Sequence, residues 1–195
     1  MLILASASPR RQELLRNAGI DFSIRPANIP EIPFPGESPQ NFAQRAACEK
    51  AMAVFRGYPG EVVLGADTVV VADGQILGKP QDSSDAARML RLLSGRTHLV
   101  ITGVCLLGSA AVPSQRAQLG FEEVRSETTI VTMDPIGEAD IQSYASSDEP
   151  MDKAGAYAIQ GIASRWITRI EGDYCNVVGL PVALVWRMLK QHNTI

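Results

Sequence analysis

Along this chain, short runs of apolar residues, which are typical of strands, alternate with segments whose apolar residues recur at helical spacing. The runs predict strands near Leu2–Ala5, Val62–Ala72, Ile76–Leu77, Thr97–Leu107, Glu127–Met133, Tyr157 and Ile167–Glu171. The stripes, with their capping residues, predict helices from Ser8 to Gly19, from Ser38 to about Phe55, over Ser84–Ser94, near Gly137–Ser146 and over Pro181–Gln191. The Asp73-Gly74 dipeptide between two apolar runs predicts a hairpin. We therefore expect an α/β protein with a mixed sheet.

Two segments show neither the apolar period of a strand nor that of a helix. Four prolines make Pro26–Gly36 a loop. Ser109–Glu123 is small, polar and aperiodic, and we predict a mobile loop without an assignable role there.

Length and composition narrow the classes of protein. A chain of 195 residues fits one domain, 1–195, or two small lobes sharing a core. The net charge of −3 argues against a nucleic-acid partner. No apolar stretch approaches the ~20 residues of a membrane span, so we expect no membrane partner. Three widely spaced cysteines without metal-binding spacing favour reduced thiols and a cytoplasmic protein.

The segment Ser6–Arg11 has the features of an anion site. A turn that enters a helix presents free N–H groups, and Ser8, Arg10 and Arg11 add hydroxyl and guanidinium donors suited to phosphate. A capped surface helix with solvated arginines fits the same pattern.

Asp67 interrupts a run of apolar and small residues, so its carboxylate needs a partner if the strand is buried. One interpretation is that Asp67 lies at a pocket wall and acts as a base or as a metal ligand. The other is that Asp67 is a structural residue near Gly65. A two-residue hairpin loop places Thr68 opposite Lys79, and a three-residue loop places Asp67 there. Either register brings an ammonium close to the carboxylate.

Single residues elsewhere are weaker candidates. Lys50 lies on the apolar side of its helix. It either binds the ligand or buries its alkyl chain while its ammonium reaches water. Glu31, among the loop prolines, is a candidate metal ligand, as any surface acid would be. Arg96 lies between a helix stop and a strand, where pockets often form. We expect paired structural roles for His98 and His192.

Seven segments together resemble the Maf family of nucleoside triphosphate pyrophosphatases. They are LASASPRR (Leu4–Arg11), GADTVV (Gly65–Val70), GKP (Gly78–Pro80), SGRTH (Ser94–His98), TGV (Thr102–Val104), KAGAYAIQG (Lys153–Gly161) and Gly172–Pro181. They follow the family's order across nearly the full chain.

The resemblance implies an elongated α/β fold like that of the inosine triphosphate pyrophosphatases, with two lobes around a cleft. It implies cleavage between the α- and β-phosphates, a divalent cation (Mg²⁺ or Mn²⁺) and Asp67 as the proton acceptor. Glu31 and Asp67 are then the expected metal ligands. The residues expected to bind the nucleotide are Ser8, Arg10, Arg11, Lys50, Thr68, Lys79, Arg96 and Gln160.

Three of these positions indicate the substrate. Arg10, Thr68 and Gln160 resemble the family members that act on dTTP and UTP, whereas the 7-methyl-GTP type carries an aromatic residue, Gln and Glu there. The chain departs from the family pattern at Pro30, beside the expected metal ligand. It also carries extra residues in Ser109–Glu123, which would affect substrate access or dimer contacts, so a homodimer is compatible with the sequence.

Two alternatives remain open at this point. One is the same chemistry on a modified purine nucleotide. The other is a cell-division regulator that binds a nucleotide without cleaving it. In each case the partner is a small-molecule nucleotide.

Overall fold

A computed structural model describes residues 1–58, 60–109 and 119–195. Within these residues the strands are β1 (Leu2–Leu4), β2 (Phe22–Ile24), β3 (Val62–Ala72), β4 (Gln75–Leu77), β5 (Thr97–Ser109), β6 (Leu119–Met133) and β7 (Ile167–Glu171). The α-helices are α1 (Pro9–Asn17), α2 (Pro39–Phe55), α3 (Ser83–Leu93), α4 (Glu138–Ala145), α5 (Tyr174–Val178) and α6 (Val182–Gln191). Short 3₁₀ turns cover Ala154–Ala156 and Ile162–Trp166. No helix in these ranges has the length and apolarity needed to cross a bilayer.

The strands form one mixed sheet in the order β2-β1-β3-β5-β6-β7, with β4 paired to β3. β1 is parallel to both β2 and β3, whereas β4 is antiparallel to β3 and β7 to β6. The prediction of an α/β fold with a mixed sheet and flanking helices is confirmed.

The β3–β4 hairpin has the two-residue loop. Ala72 pairs with Gln75, and both loop residues have positive φ, 48° at Asp73 and 74° at Gly74. That combination suits the twist of a tight hairpin, which explains the Asp-Gly preference.

The chain divides into two compact units. Unit 1 comprises Met1–Asp67, Thr102–Glu127 and Gly179–Ile195. Its core has two apolar clusters, one joining α1 and α6 to the strands through residues such as Leu15 and Met188, and one joining α2 to the strands through residues such as Ala47 and Val63.

Unit 2 comprises Thr68–Ile101 and Thr128–Val178. Its single large cluster joins α3 and α4 to the strand residues Val70, Val100 and Val131. The rings of Tyr144 and Trp166 meet edge to face there, with centroids 5.4 Å apart.

Two predictions about loops and strands were wrong. Tyr157 is not in a strand, because Gly155 and Ala156 adopt positive φ in a tight turn just before it, and the turn buries the aromatic ring without a strand partner. Part of the expected loop Ser109–Glu123 is strand: Ser109 ends β5 and 119–123 begin β6. The polar residues of β6 hid this strand, since Glu123 is buried by pairing with His192 and Arg125. Residues 110–118 lie outside the described residues.

Candidate active site

The site in unit 1 depends on how closely α2 approaches the sheet. A Cβ atom on Gly65 of β3 would lie 2.1 Å from the carbonyl oxygen of Ala47, and one on Gly103 of β5 would lie 2.2 Å from that of Ala43. Only glycine allows backbone contacts this close. The sequence signal is the set of alanines on α2 facing these two glycines.

This packing brings Lys50 to Asp67. Lys50 lies one helical turn beyond Ala47, and Asp67 lies two residues beyond Gly65 on the same face of the strand. The Nζ atom of Lys50 is 2.6 Å from Oδ1 of Asp67, and the two residues are only 6% and 4% exposed. The hairpin predicts Lys79 as an ammonium near the carboxylate, and Lys50, which is not part of the hairpin, is bonded to Asp67. The β3–β4 ladder stops at Val70 and Leu77, before it reaches Thr68 and Lys79.

A second carboxylate meets the same ammonium. Oε1 of Glu31 is also 2.6 Å from Nζ of Lys50. The proline-rich loop that carries Glu31 is held to α2 by Arg45, which donates to the carbonyl oxygen of Ile32 at 2.9 Å and to both carboxylate oxygens of Glu37 at 2.8 Å. The Arg45 guanidinium lowers the pKa of Glu37 to about 2. The sequence interpretation missed Arg45, because its partners precede it on a loop without a period.

Arg11 completes the charged cluster from α1. Its guanidinium is buried and donates to the carbonyl oxygen of Gly179 at 2.8 Å and to Oγ of Ser6 at 3.0 Å. Burial lowers the pKa of Arg11, and the carboxylates of Asp67 and Glu31 act to raise it. Arg11 therefore lies in the field of both acids.

The start of α1 is built as the sequence predicts. Ser8 is the N-cap, and its Oγ accepts from the N–H of Arg11 at 3.5 Å. Pro9 occupies the first turn, and Arg10 beside it is half-buried. Ser6, which was not among the predicted site residues, holds Arg11 in place.

The predicted site residues of unit 2 are more exposed than Lys50 and Asp67. Thr68 is half-buried on β3, whereas Lys79, Arg96 and Gln160 are exposed. The guanidinium of Arg96 forms an ion pair with Asp73 of the hairpin.

The turn that presents Gln160 is fixed by Glu149. The Glu149 carboxylate accepts from the N–H of Ile162 at 3.0 Å and from the hydroxyl of Tyr144 at 2.8 Å, and a Cβ on Gly161 would lie 2.1 Å from it. The hydroxyl of Tyr144 in turn accepts from the N–H of Ala158 at 3.3 Å. Burial and the neighbouring Glu149 raise the pKa of Tyr144. Sequence reasoning missed both residues, since an isolated acid and a core tyrosine carry no pattern.

The histidines have the paired roles that we expected. Nε2 of His98 is 2.8 Å from the hydroxyl of Tyr157, and Nε2 of His192 is 2.8 Å from Oε2 of Glu123.

Two carboxylates and two cations, all buried except Glu31, lie beside the capped start of a helix, an arrangement suited to an α/β protein that binds a phosphorylated ligand and moves a proton. This chain belongs to the Maf family: the family model described as Maf-like protein matches residues 1–192.

Named relatives are similar over nearly the whole chain. The dTTP/UTP pyrophosphatase of Koribacter versatilis is 55% identical over 190 residues, covering 97% of this chain and 93% of that protein. The dTTP/UTP pyrophosphatase of Syntrophomonas wolfei is 49% identical over 191 residues, covering 98% and 97%. The dTTP/UTP pyrophosphatase of Symbiobacterium thermophilum is 50% identical over 191 residues, covering 97% and 93%.

Proposed function

We propose that this protein hydrolyses dTTP and UTP to the nucleoside monophosphate and pyrophosphate. The observation that carries the proposal is the contact of the buried Lys50 ammonium with the buried carboxylate of Asp67 and with the carboxylate of Glu31. A protein seldom buries such charges without pairing them, and buried charged clusters concentrate at functional sites. The similarity to three proteins named for this activity supports the substrate class.

We assign Asp67 the role of proton acceptor for the attacking water. Its carboxylate is held at one oxygen by Lys50 and is kept out of bulk water by β3 and α2. Phosphoryl transfer depends mostly on positioning and on neutralising charge, and the cations of unit 1 suit that role. Arg11 is fixed by Ser6 and Gly179, so its charge needs no reorganisation during the reaction.

Glu31 and Asp67 are the residues that would hold a divalent cation. Each carboxylate places an oxygen 2.6 Å from the same ammonium, so two hard anionic donors converge at one point. Mg²⁺ usually takes one or two carboxylates and completes its shell with substrate phosphates and water, so this donor set fits Mg²⁺ or Mn²⁺. Such an ion would neutralise phosphate charge and make the attacking water more acidic.

The polar residues of unit 2 are our candidates for recognising the nucleotide. Lys79 and Arg96 are cations suited to phosphate, and Thr68 and Gln160 can each donate and accept a hydrogen bond, as a uracil or thymine edge requires. Gln160 is exposed at the tip of the turn that Glu149 holds. We also assign Ser8 and Arg10 to the nucleotide, which is a small-molecule partner, and we place the reaction in the cytoplasm, where three free cysteines would stay reduced.

A panel of nucleoside triphosphates, assayed with and without Mg²⁺, tests the proposal. We expect turnover of dTTP and UTP to exceed that of purine nucleotides, with pyrophosphate rather than orthophosphate as the product and with little turnover after chelation. Tight binding of the nucleotides without pyrophosphate release would refute the enzymatic function. Preference for a modified purine would refute the substrate class only.

The variant Gln160→Glu tests base recognition directly. It replaces a group that donates and accepts with one that only accepts, so the preference for pyrimidines should fall. Arg165→Gln, an exposed change a few residues further along the chain, is the control. Unchanged selectivity in Gln160→Glu would discredit the role of Gln160.

A further inference from the structure

Two cysteines that are far apart in sequence meet next to an acid in unit 1. Cys48 of α2, Cys105 of β5 and Glu122 of β6 bring their sulfur and carboxylate atoms within 4.8 Å of one another. Among residues 1–58, 60–109 and 119–195, this is the one group of three such ligands. All three cysteines of the chain are free thiols.

Packing of α2 along β6 builds this cluster. One and two turns before Cys48, the side-chain amides of Gln44 and Gln40 donate to Oγ of Ser126 at 3.1 and 3.0 Å. Glu122 lies four residues before Ser126, on the same face of the strand. The helix and the strand therefore run side by side, with the glutamine contacts at one end and Cys48 with Glu122 at the other.

The neighbouring groups act on the Cys48 thiol. Cys105 lowers its pKa, whereas burial and the Glu122 carboxylate raise it. Cys105 is fully buried, Cys48 is half-buried and Glu122 is exposed. The cluster thus has a buried floor and an opening to solvent on the side of the carboxylate.

We propose that Cys48, Cys105 and Glu122 bind a thiophilic divalent cation, with Zn²⁺ as the best match. Two thiolates and a carboxylate are ligands that Zn²⁺ takes, whereas Mg²⁺ prefers an all-oxygen shell. Binding replaces the two thiol protons, which are released to solvent, and gives the site a net charge of −1. Three protein ligands leave the fourth tetrahedral position to water or a small anion.

This site is separate in chemistry from the cluster around Lys50. Glu31, Asp67 and Arg11 offer no sulfur, so a hard cation suits that cluster and a soft one suits Cys48 and Cys105. The ion would tie α2 to β5 and β6, and α2 also carries Lys50. Occupancy should therefore raise the thermal stability of unit 1 by binding the folded state only.

Titration of the reduced full-length protein with Co²⁺ tests the proposal, because bonds between Co²⁺ and thiolate give a charge-transfer absorption that oxygen ligands do not. We expect one equivalent of Co²⁺ to produce this band, one equivalent of Zn²⁺ to remove it, and a large excess of Mg²⁺ to leave it in place. The readout does not depend on nucleotide hydrolysis, so it stands or falls separately from the proposed function.

Paired variants locate the ion. Cys48→Ser should abolish the sulfur band, and Glu122→Gln should weaken binding at least ~10-fold, since even changes beyond the ligands commonly cost that much. Cys175→Ser, in unit 2, and Glu127→Gln, further along β6, are the matched controls and should titrate as the unmodified protein does. Absence of the band in the unmodified protein, or an undiminished band in Cys48→Ser, would overturn the assignment.

Discussion

The two units differ in whether they bury charged side chains. Among the described residues, unit 1 buries the charged side chains of Arg11, Lys50, Asp67 and Glu123, whereas the buried polar residues of unit 2 are His98, Thr129 and Asn176. Unit 2 has ion pairs at its surface, such as Arg96 with Asp73, where both side chains are more than half exposed.

The difference indicates where the protein accepts a cost in stability. Burying a charge is unfavourable even when it is paired, and replacing a buried ion pair with apolar residues often stabilises a protein. Neutral groups such as Asn176, which donates to the carbonyl oxygen of Val100 at 3.0 Å and to Thr129 at 2.9 Å, are buried at much lower cost. We infer that the charges of Arg11, Lys50 and Asp67 in unit 1 are retained for chemistry and the buried polar groups of unit 2 for structure.

The largest effect should come from Asp67→Asn. The amide keeps the shape of the side chain and can still accept from Lys50, but it cannot accept the proton of the attacking water. We expect the rate of pyrophosphate release to fall by about 10²–10⁴-fold with little change in nucleotide affinity.

The control for this variant is Asp140→Asn, on the exposed surface of α4 in unit 2. It should keep the full rate. A folded Asp67→Asn protein that retains more than about a tenth of the unmodified rate would remove Asp67 from the role of base.

Lys50→Met should have the largest effect on folding. It leaves the buried carboxylate of Asp67 without its bonded cation, and loss of one partner of a buried pair commonly costs about 3–5 kcal/mol. Urea denaturation measures the change in the free energy of unfolding. The double variant with Asp67→Asn should recover part of the loss, because the uncompensated charge is gone. Lys190→Met, on the exposed end of α6, is the control, and a loss no larger than in that control would show that the pair is not buried as described.

The sequence predicted those parts of the molecule whose signals are local. Ser8 and Pro9 fixed the start of α1, Asp73 and Gly74 fixed the hairpin, and the apolar run predicted the burial of Asp67. The three-residue strand β2 and the five-residue helix α5 were missed, since they are too short to show a period.

The partners within the candidate site were beyond the reach of sequence patterns. Lys50 meets Asp67 because α2 docks on Gly65, and Cys48 meets Cys105 by the same docking. Both contacts are set by tertiary packing between elements distant in the chain, for which the spacing of residues carries no signal. The hairpin gave a local reason to expect Lys79 near Asp67, whereas the contact with Lys50 depends on a helix from a distant part of the chain.

The buried histidine of unit 2 should make the stability of the protein depend on pH. Burial lowers the pKa of His98 from 6.5 to about 4, so below pH 6.5 the unfolded chain takes up a proton that the folded chain does not. The contribution of His98 to the free energy of unfolding is therefore fully present above pH 6.5. It falls as the pH drops toward 4, by roughly 3 kcal/mol in total. Urea denaturation at a series of pH values measures the slope.

His98→Gln separates this effect from that of the carboxylates. The amide can bond to Tyr157 but does not titrate, so the slope between pH 6.5 and 4.5 should flatten. Glu37 and Glu138, whose pKa values are lowered to about 2 by Arg45 and Arg91, act only below about pH 4.5. An unchanged slope in His98→Gln would show that another group dominates this range.

Gly65→Ala tests the packing that creates the charged cluster. The new methyl group would lie 2.1 Å from the carbonyl oxygen of Ala47, so α2 must shift, at a cost of about 1–3 kcal/mol in the free energy of unfolding. The hydrolysis rate should fall with it, because Lys50 moves away from Asp67. Gly57→Ala, whose new methyl group has an ordinary 3.6 Å contact, should change stability by less than about 0.5 kcal/mol. Equal effects of the two variants would mean that the close approach at Gly65 does not control the site.

The smallest effect on folding should come from Arg96→Met. Its ion pair with Asp73 is exposed, and such pairs contribute about 0–1 kcal/mol, less at high salt. The same change should raise the KM for nucleotide roughly 10-fold if the guanidinium binds phosphate, since hydrogen bonds to charged groups are worth about 1.5–3 kcal/mol.

Asp73→Asn distinguishes the pair from the cation. It breaks the same ion pair but leaves the guanidinium of Arg96 in place, so its KM should stay the same or fall while that of Arg96→Met rises. This contrast extends the comparison between the units, because a charge on the surface of unit 2 would then contribute to binding without contributing to stability, whereas Lys50→Met in unit 1 is expected to lower stability. Equal increases in KM in the two variants would instead assign the effect to the hairpin geometry that the ion pair maintains, and Arg96 would lose its place among the residues that bind the nucleotide.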